Sequence, residues 1–163
     1  MSLPMSREQS QRFAIACLAA GVVVLVDQAT KAAALGGMSQ TERIPLLGDL
    51  LGLQLAFNPG AILSLGADFT GLLTLLGVGA VVVLVVAAAR ARTETWAVGI
   101  GLILGGAIGN VIDRLFSPPG FGVGHVTDFL AYGNLFIGNL ADVALGAGAL
   151  VLGLNMWIRH RRA

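Results

Sequence analysis

The chain has 163 residues, of which 56% are hydrophobic and only 12% are charged, and its mean hydropathy is +0.83. Soluble domains carry about 25% charged residues, so this composition excludes an ordinary soluble domain and predicts one integral membrane domain. The net charge of +1 provides no basic surface for nucleic acid, so no nucleic-acid partner is expected. The single cysteine excludes an internal disulfide, and one Cys with two separated His residues matches no metal-ligand spacing.

Four apolar stretches are long enough to cross a membrane as helices. A helix rises about 1.5 Å per residue, so about 20 apolar residues cross a hydrocarbon core of about 30 Å. The expected spans cover residues 13–35, 70–89, 96–112 and 137–158. The predicted fold class is therefore an all-α membrane protein with four transmembrane helices, in one domain over residues 1–163.

The segment between the first two spans, residues 36–69, carries the signature of a small sheet. From residue 51 to residue 57, large apolar side chains alternate with smaller or polar ones, which is typical of a strand. Residues 43–47 are expected to pair with this strand across a short turn. Asn58-Pro59-Gly60 has the turn chemistry that ends it. We expect a small extracytoplasmic β-sheet at the membrane surface, followed by a short interfacial helix at residues 61–65.

The third span carries Gly101, Gly105 and Gly109 on one helix face. Small residues at this spacing let helices approach closely in lipid. The glycines therefore indicate helix packing and not a phosphate-binding loop.

The basic residues predict the orientation of the spans. Arginines cluster in the N-terminal arm, in the loop at residues 90–95 and in the C-terminal tail. With an even number of spans these segments share one side, which the positive-inside rule assigns to the cytoplasm. Both termini are then expected inside, and residues 36–69 and 113–136 are expected outside.

The unusual polar residues fall at the outer ends of the spans. Asp27 and Lys31 share a helix face near the end of the first span and are expected to pair. Asn110, Asp113 and Arg114 end the third span with helical spacing, and the simplest interpretation of Asp113 and Arg114 is an ion pair. Polar groups at the edge of a hydrocarbon layer cost free energy, so this clustering indicates a functional site there.

Two further carboxylates complete this cluster. Asp128 lies in the expected loop between the last two spans, and Asp142 lies about one and a half turns into the fourth span, with Asn139 on the same face. Two carboxylates in a partly desolvated site cannot both ionise easily, so they share a proton. Such a pair can activate a water molecule with one member and polarise a carbonyl group with the other. This is the chemistry of peptide hydrolysis by aspartic proteases.

Two other classes of membrane protein fit the composition. A small ion- or proton-coupled transporter would use Asp113, Asp128 and Asp142 to relay protons or bind cations. That class predicts carboxylates throughout the membrane depth, whereas here they cluster at one face. A non-catalytic helical scaffold, packed through its glycines, gives no reason for Asp142.

The sequence resembles the lipoprotein signal peptidases, or type II signal peptidases, of bacteria. The resemblance covers nearly the whole chain, and the blocks are specific because they occur in this order on four spans. The matching blocks are Asp27-Gln28-Ala29-Thr30-Lys31, Asn58-Pro59-Gly60-Ala61, Gly109-Asn110-Val111-Ile112-Asp113-Arg114, Val126-Thr127-Asp128-Phe129 and Asn139-Leu140-Ala141-Asp142.

The resemblance implies an aspartic endopeptidase of the bacterial inner (plasma) membrane that uses no metal or cofactor. Its implied substrates are prolipoproteins whose lipobox cysteine carries diacylglycerol, cut on the amino side of that cysteine at the outer face of the membrane. Asp128 and Asp142 are implied to be the catalytic pair. A monomer surrounded by membrane lipids is expected. Substrate-binding or supporting roles are implied for Asn58, Gly60, Asn110, Arg114, Asn139, Asp27, Lys31 and Asp113.

The chain departs from the family pattern around the expected substrate pocket. Gly138 stands where a phenylalanine normally precedes the asparagine of the last block, and residues 61–64 replace the usual aromatic residue and glycine. An alternative function is therefore that of a divergent paralogue with other substrates.

Overall fold

The computed structural model describes residues 5–60 and 65–162. Over these residues the chain forms four α-helices that are apolar and long enough to cross a membrane. The predicted fold class is confirmed. The helices are α1 (Arg7–Gly37), α2 (Thr70–Ala89), α3 (Glu94–Phe116) and α4 (Leu140–Arg162).

Four strands form one antiparallel sheet within the described residues, in the spatial order β1-β2-β3-β4. The strands are β1 (Ile44–Leu47), β2 (Leu51–Asn58), β3 (Val126–Tyr132) and β4 (Phe136–Gly138). The predicted pairing of β1 with β2 is confirmed. A 3-10 helix at Ala67–Phe69 precedes α2. The interfacial helix expected at residues 61–65 falls largely outside the described residues.

The expectation that Asp128 lies in a loop is wrong, because residues 126–132 form β3. This strand pairs with β2, and Ala56 lies opposite Asp128. Residues 126–129 are buried on both faces of the strand, so the sequence shows no alternation of apolar and polar residues. The sheet therefore holds Asp128 more firmly than a loop would.

Side-chain caps lie at the starts of α1 and α3. Ser6 accepts a hydrogen bond from the Gln9 backbone at 3.2 Å, and Thr93 accepts one from the Trp96 backbone at 3.2 Å. Such caps satisfy backbone N–H groups that have no partner inside the helix. The fourth helix begins after Asn139 and not at residue 137, because residues 136–138 extend as β4.

Helix α3 lies at the centre of the bundle and contacts each of the other three helices. A methyl group added at Gly105 would lie 2.6 Å from Val23 Cβ of α1. One added at Gly106 would lie 2.9 Å from Leu145 Cγ of α4. The close packing expected from the row of glycines is confirmed against α1, whereas the close contact with α4 at Gly106 lies outside that row.

The bundle has a basic end and an end that carries the sheet. Gln9 donates to the carbonyl oxygen of Ala89 at 2.9 Å, and Arg12 donates to that of Arg92, so the start of α1 meets the end of α2. The Trp96 indole donates to Asn155 Oδ1 at 3.0 Å, which joins the start of α3 to α4. The three arginine-rich segments therefore lie at one end of the bundle.

We expect Gly105→Val to destabilise the protein by about 1–3 kcal/mol, because the added methyl groups overpack the contact between α1 and α3. Thermal unfolding in detergent would measure the loss as a lower Tm. Gly79→Val is the matched control, because nothing lies within 4 Å of a side chain at that exposed position of α2. Equal effects of the two variants would contradict this account of the packing.

Candidate active site

Asn139 joins the two aspartates that the sequence singles out. It is fully buried, and its Nδ2 donates to Asp128 Oδ1 at 2.6 Å. Its backbone N–H donates to Asp142 Oδ2 at 3.2 Å. The structure therefore brings the carboxyl groups of β3 and α4 to one asparagine, although they come from different elements.

Asp142 belongs to the first turn of α4, so its expected place about one and a half turns into the helix is wrong, because α4 begins at Leu140. Its backbone N–H donates to Asn139 Oδ1 at 3.0 Å, while its carboxylate accepts from the Asn139 backbone. This reciprocal pair of bonds is a capping box, which fixes both side chains at the helix start. These bonds hold the Asp142 carboxylate at the N-terminal end of α4, where the residue is exposed.

Two more asparagines donate to the carboxylates. Asn110 Nδ2 donates to Asp142 Oδ1 at 3.0 Å, and Asn58 Nδ2 donates to Asp128 Oδ2 at 3.2 Å. Gly60 N–H binds Asn58 Oδ1 at 3.0 Å, which turns the amide nitrogen of Asn58 toward Asp128. Each carboxyl group thus has hydrogen-bond donors from two sides.

A cavity of about 480 Å³ lies beside the pair, and both polar and apolar residues line it. A peptide segment can therefore contact hydrogen-bonding groups and hydrophobic surface together. The cavity is lined by Asn58, Gly60, Asn110, Arg114, Val126, Asp128, Phe136, Ile137, Asn139, Asp142, Leu145 and Gly146.

The two carboxyl groups differ in environment. Asp128 is only 3% exposed, and this burial raises its pKa to about 7, an increase to which the charge of Asp142 adds. Hydrogen bonds from Asn139 and Asn58 and the charge of Lys31 act in the opposite direction on that pKa. With a pKa near 7, a substantial fraction of Asp128 is protonated near neutral pH.

The expected ion pair between Asp113 and Arg114 is wrong. Arg114 instead donates to the backbone oxygens of Pro59, at 3.2 Å, and Gly60. Neighbours on a helix do not face each other, and Arg114 points to the end of β2. It holds the turn from which Asn58 reaches Asp128.

The expected pair of Asp27 and Lys31 is confirmed, with 2.8 Å between Lys31 Nζ and Asp27 Oδ2. Lys31 Nζ also lies 2.9 Å from Asp113 Oδ2, so Asp113 pairs with α1 across the bundle. All three side chains are buried. They line no part of the cavity, in contrast to the other predicted site residues.

Gln28 and two aromatic residues near the cavity have contacts that the sequence pattern does not predict. Gln28 Nε2 binds both Asp27 Oδ2 and Asp113 Oδ1, at 3.2 and 3.1 Å. Tyr132 and Phe136 stack with their ring centres 4.7 Å apart, and Phe136 lines the cavity. The position of Gln28 directly after Asp27 was the available signal, whereas the aromatic pair depends on the sheet register.

The arrangement has the parts that acid–base hydrolysis needs. A buried carboxyl group with a raised pKa and an exposed carboxylate face one cavity that also has amide donors. Among the described residues, no group of three or more His, Cys, Asp and Glu side chains is placed to hold a metal ion.

Comparison with known proteins agrees with the resemblance. The model of the family described as signal peptidase (SPase) II matches residues 19–158. The lipoprotein signal peptidase of Rhodococcus jostii (strain RHA1) is 40% identical over 151 residues, which cover 93% of this chain and 76% of that protein. That of Leifsonia xyli subsp. xyli (strain CTCB07) is 46% identical over 124 residues, which cover 76% of this chain and 57% of that protein.

Two solved structures, both described as bacterial membrane enzymes, share the fold. Their TM-scores are 0.77 and 0.73, each at 24% sequence identity. The alignments cover 87% and 86% of this chain and 87% and 91% of the respective structures. With the family model matched over residues 19–158 and these relatives aligned over most of its length, the chain belongs to the signal peptidase II family.

Proposed function

We propose that this multi-pass membrane protein is an aspartic endopeptidase that uses Asp128 and Asp142 to remove signal peptides from prolipoproteins. The observation that carries the proposal is the link through Asn139, which binds both carboxyl groups beside one cavity. Family membership favours this function over a transporter or a scaffold. The cavity also supports it, because it combines the two carboxyl groups with space for a peptide.

The proposed substrates are diacylglyceryl-modified prolipoproteins, cut on the amino side of the modified cysteine. The relatives named lipoprotein signal peptidase support this class. The apolar part of the cavity wall includes Leu145 and Gly146 of α4, and Gly146 is exposed. A lipid-bearing segment can lie along this wall while the peptide bond reaches the carboxyl groups.

In the proposed mechanism the two aspartates begin in different protonation states. Ionised Asp142 takes a proton from water, and the water oxygen bonds to the carbonyl carbon of the scissile peptide. Asp128 gives its proton to the carbonyl oxygen, so a neutral diol forms. The diol then returns a proton to Asp128 as the C–N bond breaks, and Asp142 gives its proton to the leaving amine. The raised pKa of Asp128 and the exposure of Asp142 support this assignment.

The asparagines and Arg114 have supporting roles in this proposal. Asn110 and Asn139 direct the carboxylate of Asp142, and Asn58 directs the carboxyl group of Asp128. Arg114 and Gly60 set the turn that carries Asn58. Preorganised donors of this kind stabilise charge without rearrangement during the reaction.

The proposed orientation has both termini in the cytoplasm and the active site on the extracytoplasmic side of the plasma membrane. Its support is that the arginine-rich segments lie at one end of the bundle, whereas the cavity lies at the other end with the sheet. We propose a monomer whose exposed apolar helix faces contact membrane lipids. Exposed Leu72, Leu75 and Leu76 of α2 support the lipid contact.

We expect Asp128→Asn and Asp142→Asn each to lower cleavage of a lipid-modified lipobox peptide by at least about a hundredfold, since each removes one acid–base group. Cleavage would be measured with a fluorogenic peptide and purified enzyme in detergent. Asp49→Asn is the matched control, because Asp49 is an exposed acid in the turn between β1 and β2. Near-normal cleavage by either folded active-site variant would exclude the pair mechanism.

The pH dependence of cleavage follows from the pKa of Asp128. The mechanism needs protonated Asp128, and its pKa near 7 means that the protonated fraction falls as the pH rises through about 7. We expect turnover of the lipid-modified peptide to fall above that pH. Asn58→Ala removes a hydrogen bond that lowers the pKa of Asp128, so it should move this alkaline fall to higher pH. A shift to lower pH would show that a different group controls the fall.

A further inference from the structure

Asp27, Lys31 and Asp113 form a buried ion cluster between α1 and α3. The ammonium group of Lys31 binds both carboxylates, at 2.8 Å from Asp27 Oδ2 and 2.9 Å from Asp113 Oδ2. Asp27 is fully buried, and the other two side chains are 3% and 5% exposed. Burying charged groups costs free energy that pairing and hydrogen bonds only partly offset. The cluster therefore suggests a role other than stabilising the fold.

Each carboxylate of the ion cluster also binds a backbone N–H group next to an active-site aspartate. Asp27 Oδ1 accepts from the Ala141 backbone at 2.9 Å, directly before Asp142. Asp113 Oδ2 accepts from the Thr127 backbone at 3.0 Å, directly before Asp128. One cation thus connects, through two carboxylates, to the residue before each member of the pair.

These backbone groups are well suited to such anchoring. The Ala141 N–H lies in the first turn of α4, where N–H groups have no acceptor inside the helix. The Thr127 N–H of β3 finds its acceptor in Asp113 of α3. The ion cluster therefore ties the start of a helix and a strand to the packed centre of the bundle.

A third connection runs from Lys31 to Asp142 through a side chain. Lys31 Nζ donates to Asn110 Oδ1 at 3.1 Å, and Asn139 Nδ2 donates to the same oxygen at 3.2 Å. With two donors on its oxygen, the amide of Asn110 must present its nitrogen to Asp142. Lys31 thereby sets which end of Asn110 faces the carboxylate.

We propose that the ion cluster is the positioning element of the active site, in which Lys31 holds Asp27 and Asp113 and these hold the backbones that carry Asp142 and Asp128. The inference rests on the proposed function of the two aspartates. The three residues do not line the cavity, so their proposed role is to position other residues. A displacement of about 1 Å in a reacting group lowers the rate of the chemical step more than it weakens substrate binding.

The test compares Asp27→Ala and Asp113→Ala with Asp27→Asn and Asp113→Asn. We expect each alanine variant to lower kcat per folded molecule by about ten- to a hundredfold with KM unchanged, since the backbone anchor is lost. The asparagine variants should recover most of kcat, because their side-chain oxygen can accept the same N–H. All four should have a lower Tm, because the charge of the cluster changes.

Gln28→Leu is the matched control, since Gln28 binds both carboxylates but neither backbone group. It should lower Tm without lowering kcat. If the alanine variants yield no folded protein, serine at the same positions tests the same loss, because its shorter side chain keeps a polar group beside Lys31 without reaching the N–H.

The measured kcat and Tm distinguish a role in positioning the aspartates from a role in stability alone. Truncated variants with wild-type kcat and a lower Tm would overturn the inference, as would asparagine variants as slow as the truncated ones. Asp128→Asn in the same assay keeps the two proposals apart. If Asp128→Asn is inactive while the truncated variants have full kcat, only the positioning role fails. If Asp128→Asn is active, the proposed function itself fails.

Discussion

The proposed active site depends on buried charged side chains whose hydrogen-bond partners come from several helices and strands. Lys31 of α1 lies between Asp27 of its own helix and Asp113 of α3, and the two carboxylates accept N–H groups from α4 and β3. Within residues 5–60 and 65–162, every buried side-chain nitrogen and oxygen has a hydrogen-bond partner. Removing one member of such a network typically costs about 3–5 kcal/mol, so the geometry around it has little freedom. The glycines of α3 let α1 and α4 pack closely against it. This close packing allows side chains of α1 and α3 to pair and allows Asp27 to bind the backbone of α4.

The same arrangement makes two chemically identical side chains unequal. Asp128 lies in a strand that is buried on both faces, and its pKa is raised to about 7. Asp142 lies at the start of α4, where it is exposed and a capping box holds it. Asn139 contacts both and fixes their relative position. The fold thus gives two residues of one type different environments, as the proposed division into an acid and a base requires.

Features with local causes could be predicted from the sequence, and those with distant partners could not. The pairing of Asp27 with Lys31 follows from helical spacing within one span, and the turn after β2 follows from Asn58-Pro59-Gly60. The partner of Asp113 comes from another helix, so its neighbour in sequence, Arg114, does not indicate it. Strand β3 is not predictable from its sequence, because burial on both faces removes the alternation that marks a strand. The capping box has a local signature, but the apolar residues before Asn139 resembled a continuation of the helix.

The most direct measurement is a structure of the enzyme with a lipid-modified lipobox peptide whose scissile bond is replaced by a hydroxyl-bearing isostere. The hydroxyl group takes the place of one oxygen of the diol that the mechanism requires. We expect this oxygen to lie about 2.5–3.2 Å from a carboxyl oxygen of both Asp128 and Asp142. A hydroxyl that contacts only one of them, with the other turned away from the cavity, would contradict a shared catalytic pair.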